Sequence, residues 1–308
     1  MRPMRNSKRS DMRPAIILLI AGFFFLSLPL SAQDDLMSLL GDEEEPKEYV
    51  KNAFKSTRVI TTQSMEFVAP GVLDFRILHR FGAFSTGADE AWGLDIANMR
   101  LGLDYGITER LTVGIGRSNI YNELDGFIKY RPIWQSKGKG AIPFSLVLIS
   151  GITQKKAVDR SPAKEYYTSR LSFYHQAILG RKFGEGFSLQ LMPTLVHKNI
   201  VDSTRFDHDL GFIGVGGRIK LSRSINLTFE YYEKVYGEWS SRNTMPLSIG
   251  FDIETGGHVF QLHFSNSQNL NERTYLTDTQ GKWSENDIHF GFNISRVFTL
   301  SKPKSFRK

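Results

Sequence analysis

Cysteine is missing from all 308 residues. That absence excludes structural disulfides, cysteine-ligated zinc and a cysteine nucleophile. It also removes the residue on which a bacterial lipoprotein carries its lipid, so any membrane attachment falls to the polypeptide itself. Long apolar runs are scarce as well. Beyond residue 32 no stretch reaches the roughly 18 consecutive apolar residues that a spanning helix needs. Charge of one sign is nearly absent too. The formal charge is +7, but the first 32 residues carry five Lys/Arg and one Asp, leaving 34 of the 39 basic and 31 of the 32 acidic residues, an excess of +3. So small an excess, with no basic stripe interleaved with aromatics, argues against nucleic acid as a partner.

What is present begins with "MRPMRNSKRSDMRPAIILLIAGFFFLSLPLSAQDD", a basic leader, an apolar run from Ala15 to Leu30, and Leu30-Ser31-Ala32 before Gln33. This is the layout of a secretory signal peptide, expected over residues 1–32; Met12 could begin a shorter one. Residues 33–70 are acidic and then Thr/Ser-rich, closing on Pro70, and read as a periplasmic or lumenal non-barrel segment.

From Gly71 the pattern changes to period-2 alternation in runs of about ten, the signature of strands with one apolar face. Leu73, Phe75, Ile77 and Phe81 alternate with Asp74, Arg76 and Arg80. Met99, Leu101, Leu103 and Tyr105 alternate with Arg100 and Asp104, and Leu247, Ile249, Phe251 and Ile253 with Ser248, Gly250 and Asp252. Twelve such runs follow one another, the last holding Ile288, Phe290, Phe292 and Ile294. Short turns ("GITER", "FGEG", "LSRS", "ETGG") follow even-numbered runs and longer polar connections follow most odd ones. Long loops at one end and tight turns at the other are an outer-membrane-barrel trait.

Periodicity alone leaves open which face points inward. Three features favour apolar-out. An interior filled by side chains or one small ligand belongs to about eight strands rather than twelve. Aromatics gather near run ends (Trp92, Tyr105, Tyr121, Trp134, Tyr166, Tyr167, Tyr236, Trp239), as interface girdles do. The polar face mixes both charge signs with Gly and Ser. A sheet in lipid must also close, because open edges leave backbone groups unsatisfied. The expected fold is therefore all-β: a closed antiparallel transmembrane β-barrel of about 12 strands over residues 71–300, with a polar tail at 301–308.

The blocks "FKSTRVITTQSMEFVAPGVLDFRILHRFG", "GLDYGITERLTVGIGRS", "RLSFYHQAILGRKF" and "GGHVFQLHFSNS" resemble an uncharacterised family of secreted outer-membrane β-barrel proteins of two-membrane bacteria, known by a domain-of-unknown-function label. The resemblance covers roughly residues 45 to 300. It implies a barrel fold and an envelope location, and it brings no activity or catalytic residue with it.

Several motifs resemble sites. "GIGRSN" at Gly114 and "GVGGR" at Gly214 do not complete GxGxxG and open no helix in a βαβ unit, so close backbone approach is the better reading. His197, Asp202, His208 and neighbouring acids lack the tight spacing that zinc ligands need, so no metal site is expected. His258 and His263, five apart in a strand, face opposite ways. Keeping the apolar faces of that hairpin together requires paired residue numbers with an odd sum; taking 513 sets Gly250 opposite His263, Ser248 opposite Ser265 and Asp252 opposite Gln261. Asp252, His263 and Ser265 then lie near one another without the contact chain that a hydrolase requires. No catalytic residue and no cofactor is expected.

The candidate site is the polar face as a whole. Its lumen-facing candidates are Arg76, Arg100, Asp104, Asp125, Lys129, Arg131, Arg170, Arg218, Lys220, Glu230, Asp252 and His263, with Asp74, Arg80, Lys182 and Glu254 alongside. Mixed signs permit either pairing across a filled lumen or hydrated, ion-selecting rings. The function expected is a non-enzymatic channel or solute-binding barrel in the cell outer membrane, with residues 33–70 able to plug it and both termini in the periplasm. The alternative is a structural or interaction barrel that presents the loops at 153–169, 233–245 and 266–287. Expected partners are outer-membrane lipid, the barrel-assembly machinery and a small solute. The last run ends on aromatic Phe298, as terminal strands read by that machinery do, although "TLSKPKSFRK" follows it.

Overall fold

The computed structural model describes residues 46–156, 166–255 and 258–301. The signal-peptide reading, the first part of the 33–70 segment and nearly all of the polar tail lie outside the described residues. Twelve strands form the wall: β1 Val72–Ala83, β2 Ala97–Thr108, β3 Leu111–Ser118, β4 Leu124–Ile133, β5 Ser145–Gln154, β6 Leu171–Lys182, β7 Phe187–Lys198, β8 Asp209–Lys220, β9 Ile225–Tyr236, β10 Leu247–Thr255, β11 His258–Ser265 and β12 His289–Thr299. Each pairs antiparallel with its neighbour in sequence, and β12 closes on β1 through pairs such as Ile294↔Ile77 and Phe298↔Leu73. Closure leaves no edge, which is the condition for a sheet in hydrocarbon. No helix among the described residues is long and apolar enough to cross a membrane.

Alternation decides which way each side chain points. Along β4, Leu124, Ile128 and Tyr130 are exposed while Asp125, Phe127, Lys129 and Arg131 are buried. Ile115, Leu101, Leu148 and Phe251 are likewise exposed on neighbouring strands. The inside is polar and the outside apolar, the reverse of a water-soluble protein and the arrangement of a barrel covered by lipid. The hairpin β10–β11 has the register taken from the sequence, one of those face alignment allows, with Gly250↔His263, Ser248↔Ser265 and Asp252↔Gln261.

Inward glycines make room for large side chains lying flat on the wall. A Cβ on Gly102 or Gly116, paired across β2 and β3, would strike the Arg100 guanidinium. Gly114 is overlain by Phe127, Gly151 by Tyr174 and Gly214 by Tyr232. The "GIGR" and "GVGG" glycines are seats for side chains.

The barrel has two unlike ends. Short connections gather at one, together with both described termini, where Gly71 donates to Gly106 O at 2.8 Å and Leu300 to Gly71 O at 2.9 Å. The longer connections gather at the other; the exceptions are the short one after β3 and the long one after β4, residues 134–144, which lies at the turn end. Two aromatics depart from the girdle expectation. Trp134 is buried and stacks on Tyr49 at the turn end (4.8 Å), and Trp239 packs on Phe212 (5.7 Å). Trp92, Tyr121, Tyr166, Tyr167 and Tyr236 are exposed.

Candidate functional site: the occupied lumen

The polar faces of twelve strands enclose a channel that the chain itself fills from both ends. From the turn end comes a strap, residues 52–69. Its approach is fixed where Glu48–Tyr49 pairs with Ser136–Lys137 in the β4–β5 connection, and where Trp134 Nε1 donates to Val50 O at 2.7 Å. The strap then doubles back. Arg58 bridges Gln63, Val59 N donates to Thr62 O (2.8 Å) and Ser64 N to Thr57 O (2.9 Å), leaving Ile60 and Thr61 at the tip. Residues 58 to 65 are almost wholly buried.

Most wall contacts grip the strap by its backbone. Glu230 accepts from Thr61 N (2.9 Å), Thr62 N (3.1 Å) and Thr62 Oγ1 (2.8 Å). Gln190 accepts from Met65 N and donates to Gln63 O, both at 2.9 Å. Gln261 donates to Val59 O (2.9 Å) and Asn293 to Ile60 O (2.8 Å). Lys129 donates to Glu66 O (2.6 Å) and Gln63 Oε1 (3.2 Å). Arg131 donates to Met65 O (3.0 Å), its guanidinium 4.2 Å from the Phe67 ring centre and 4.1 Å from that of Trp134. A non-strand segment inside a membrane-deep lumen needs such partners, because an unsatisfied buried amide costs about 1–3 kcal/mol.

From the loop end the β11–β12 connection folds inward and carries a short helix, α1, Glu272–Thr277, every residue of which is buried. Asn271 caps it, Oδ1 accepting from Thr274 N at 2.9 Å. Arg273 forks onto Glu123 (Nε–Oε1 2.8 Å, Nη2–Oε2 2.9 Å) and reaches Asp278 at 3.1 Å. Tyr275 OH meets Ser248 Oγ at 2.7 Å. Burial pushes the Asp278 carboxyl up, but Arg273, with Lys155 and Lys198 behind it, outweighs burial and holds it below the ordinary range. Above α1 the loops leave a cavity of about 250 Å³ whose lining includes Tyr121, Lys155, Lys198, Trp239 and Asp278.

The two insertions meet at mid-barrel. Arg58 Nη1 lies 2.6 Å from Glu272 Oε1, both side chains at most 1 % exposed, and Gln63 donates to the same carboxylate at 3.3 Å. Arg80 joins them as well, donating to Ser267 O (2.7 Å) and Asn269 O (2.9 Å) of the loop and to Thr61 Oγ1 (3.0 Å) of the strap.

Of the candidates named from the sequence, ten are buried on the inward face. Arg76 pairs with Asp74 (2.5 Å), approaches Asp104 (3.7 Å) and donates to Ser56 of the strap. Arg100 holds Asp125 bidentately at 2.8 and 2.5 Å. Lys129, Arg131 and Glu230 hold the strap. Arg218 donates to Asn226 and to Glu185 O at the turn end, and Asp252 accepts from Gln261 at 2.8 Å. His263 faces Arg80, Nε2 to Nη2 3.0 Å, while Ser265 is bonded by Ser248 at 2.9 Å, so no nucleophile–base pair forms there.

Two candidates lie elsewhere. Arg170 sits at the loop-end rim in a 3-10 turn, over the Tyr167 ring, because β6 begins only at Leu171. Lys220 is exposed at the last position of β8, where the inward parity continues but the wall has ended. The connection 266–287 departs from the expectation that it is presented outward, since its polar run 266–277 fills the lumen. Among the described residues no cluster of three or more His, Asp or Glu is arranged to hold a metal, and His197 is bonded by Asp209 at 2.8 Å.

Sequence reading passed over Arg58, Glu123, Gln190, Asn271, Glu272 and Arg273. Asn271 before "ERTYLT" is a helix-start signal that was available. The others sit in irregular backbone or at face positions shared with many polar residues, where no periodicity singles them out.

Among solved structures, the chain is similar to a NanC porin (8 % identity, TM-score 0.45, covering 74 % of this chain and 98 % of that one) and to an outer membrane channel from Pseudomonas putida F1 (12 %, 0.39, 76 % and 97 %). A third is the CymD monoaromatic hydrocarbon channel (10 %, 0.39, 76 % and 90 %). No curated protein matches the sequence. The family described as membrane bound beta barrel domain (DUF5777) matches residues 54–298, strap and wall together, and the chain belongs to that family.

Proposed function

We propose that this protein is an outer-membrane channel held shut by its own N-terminal strap, delivered by a signal peptide and inserted by the barrel-assembly machinery. The observation that carries the reading is the strap itself. It enters and leaves by the turn end, so it can withdraw as a folded-back unit without threading. Wall side chains, neutral Gln190, Gln261 and Asn293 together with charged Glu230, Lys129 and Arg131, hold it mainly by hydrogen bonds to its backbone. Water can replace the neutral ones at a net cost of about 0.5–1.5 kcal/mol each, and it can rehydrate the charged groups, whose bonds are worth about 1.5–3 kcal/mol each. The polar wall behind the strap suits an aqueous passage for a small solute. The reading is non-enzymatic, since His263 faces Arg80 and Ser265 faces Ser248 instead of each other.

A cysteine lock tests it on the full chain. A Cβ on Gly180 of β6 would lie 3.4 Å from Met65 Cβ of the strap, close to disulfide spacing, and the protein has no other thiol. Met65→Cys/Gly180→Cys protein in planar bilayers is expected to be silent when oxidised and to show discrete conductance steps when reduced. Equal silence in both states, across voltages and low urea, overturns the channel reading.

A further inference from the structure

The wall's charges fall into two groups according to what neutralises them. Arg76 and Arg100 are paired with carboxylates of the wall itself, Asp74 and Asp104 for the first and Asp125 for the second, and those pairs stay whether or not the strap is present. Arg80, Lys129, Arg131 and Arg218 belong to no ion pair among the described residues, and Arg218 is held by Asn226 and Glu185 O, away from the strap. The acceptors of Lys129 and Arg131 are oxygens of the strap: Thr57 O, Gln63 Oε1 and Glu66 O for the first, Met65 O for the second. Both cations are buried on β4 with aromatic faces beside them, Phe67 near each and Trp134 near Arg131. The N–H groups of Thr61 and Thr62 at the strap's tip go the other way, to Glu230 on β9.

Withdrawal of the strap therefore uncovers two neighbouring cations on β4 that lose their acceptors together, and two carboxylates that lie apart from each other, Glu230 five strands away and Glu272 of α1, which loses Arg58 and Gln63. Arg80 keeps its two loop carbonyls. A desolvated cation stripped of acceptors is stabilised by any anion that enters, and charged side chains lining a constriction are what select ions in a pore. Strap carbonyls in the closed state occupy the positions that a solute's oxygens would take in the open one.

We propose that the passage uncovered by the strap selects small anions, carboxylates and other oxyanions included, with Lys129 and Arg131 as the selecting pair. This rests on the channel reading. The test uses the full-length Met65→Cys/Gly180→Cys protein, reduced, in a bilayer with a tenfold KCl gradient; oxidation, which should silence it, certifies that current passes through the lumen. The reversal potential should report a chloride preference of about threefold or more. Adding Lys129→Gln and Arg131→Gln should bring the ratio to parity, and adding Glu230→Gln alone should raise it. Should the double variant fail to insert, the Glu230→Gln arm still decides. A conducting pore that prefers potassium, or whose ratio ignores these changes, overturns the anion inference and leaves the channel standing, whereas absence of current in the reduced protein fails the channel reading itself.

Discussion

The two insertions that fill the lumen are held in different ways. The strap is gripped by its backbone, with Gln190, Gln261, Asn293 and Glu230 supplying bonds to its N–H and C=O groups. The β11–β12 connection is keyed by side chains, above all the Arg273–Glu123 fork and its extension to Asp278, both core partners fully buried. Neutral bonds to backbone can be exchanged for water one at a time. A buried ion pair cannot, because losing one partner strands the other charge in a poor solvent. On the channel reading, the difference makes the strap the part suited to leave once its one deep ion pair, Arg58–Glu272, is parted, and the helix-bearing loop the part suited to stay.

The sharpest way to break that contrast is at the fork. Arg273→Leu strands Glu123 and should destabilise the loop end by about 3–5 kcal/mol, read as a lowered thermal midpoint in detergent and rapid proteolysis within 266–287. The strap's amide exchange should change far less. Equal loosening of both insertions would mean that they form one plug. Next in size is Glu230→Gln, which keeps the shape but replaces a charged acceptor of three hydrogen bonds by a neutral one. A loss of about 1.5–3 kcal/mol should appear as faster exchange of the Thr61 and Thr62 amides, with α1 protected as before.

How much of this was legible in the sequence follows from the same physics. Alternation placed all twelve strands, and the requirement that apolar faces align limited the β10–β11 register to odd sums, because a slip by one residue would turn Gln261 and His263 into lipid; of these sums, the one taken is the one observed. The fate of 266–287 was not legible. "NSQNLNERTYLTDTQ" reads as a solvated loop because polar residues normally mark the outside. Here the inside is polar, so a polar segment is what the lumen takes in, and hydropathy loses its meaning for everything but the wall. The strap was legible only as a segment able to enter. Its partners depend on an irregular backbone that carries no period. Arg170 and Lys220 missed the interior for a simpler cause: face parity tells direction but not where a wall stops.

A smaller effect tests whether strap and loop are coupled where they touch. Arg58→Leu and Glu272→Leu each strand a buried charge, but the double change removes both. A double-mutant cycle in urea should therefore show a coupling energy of about 1–3 kcal/mol, with the double variant nearer the parent than either single one. Additive losses would mean that the 2.6 Å contact carries no energy between the insertions, and that the strap can move without consulting the loop.

The smallest effect is acid dependence at the loop end. Asp278 has its folded-state carboxyl pKa below the reference value of 3.8, the attraction of Arg273, Lys155 and Lys198 exceeding the penalty of burial. A depressed carboxylate pKa contributes stability that is complete above the unfolded value and is lost as pH falls through the folded one. Protection of the α1 amides, relative to their intrinsic base-catalysed exchange rate, should thus be flat from pH 7 to about 5 and fall only below about pH 4, and Asp278→Asn should remove part of that fall while weakening the loop at every pH. The strap bond from Met65 N to Gln190 involves no titrating group, so protection of the Met65 amide should stay flat over the same range. If the strap loosens at a higher pH than α1 does, acid reaches the removable insertion first, and the division of labour between a strap that leaves and a loop that stays would have a proton as one of its triggers.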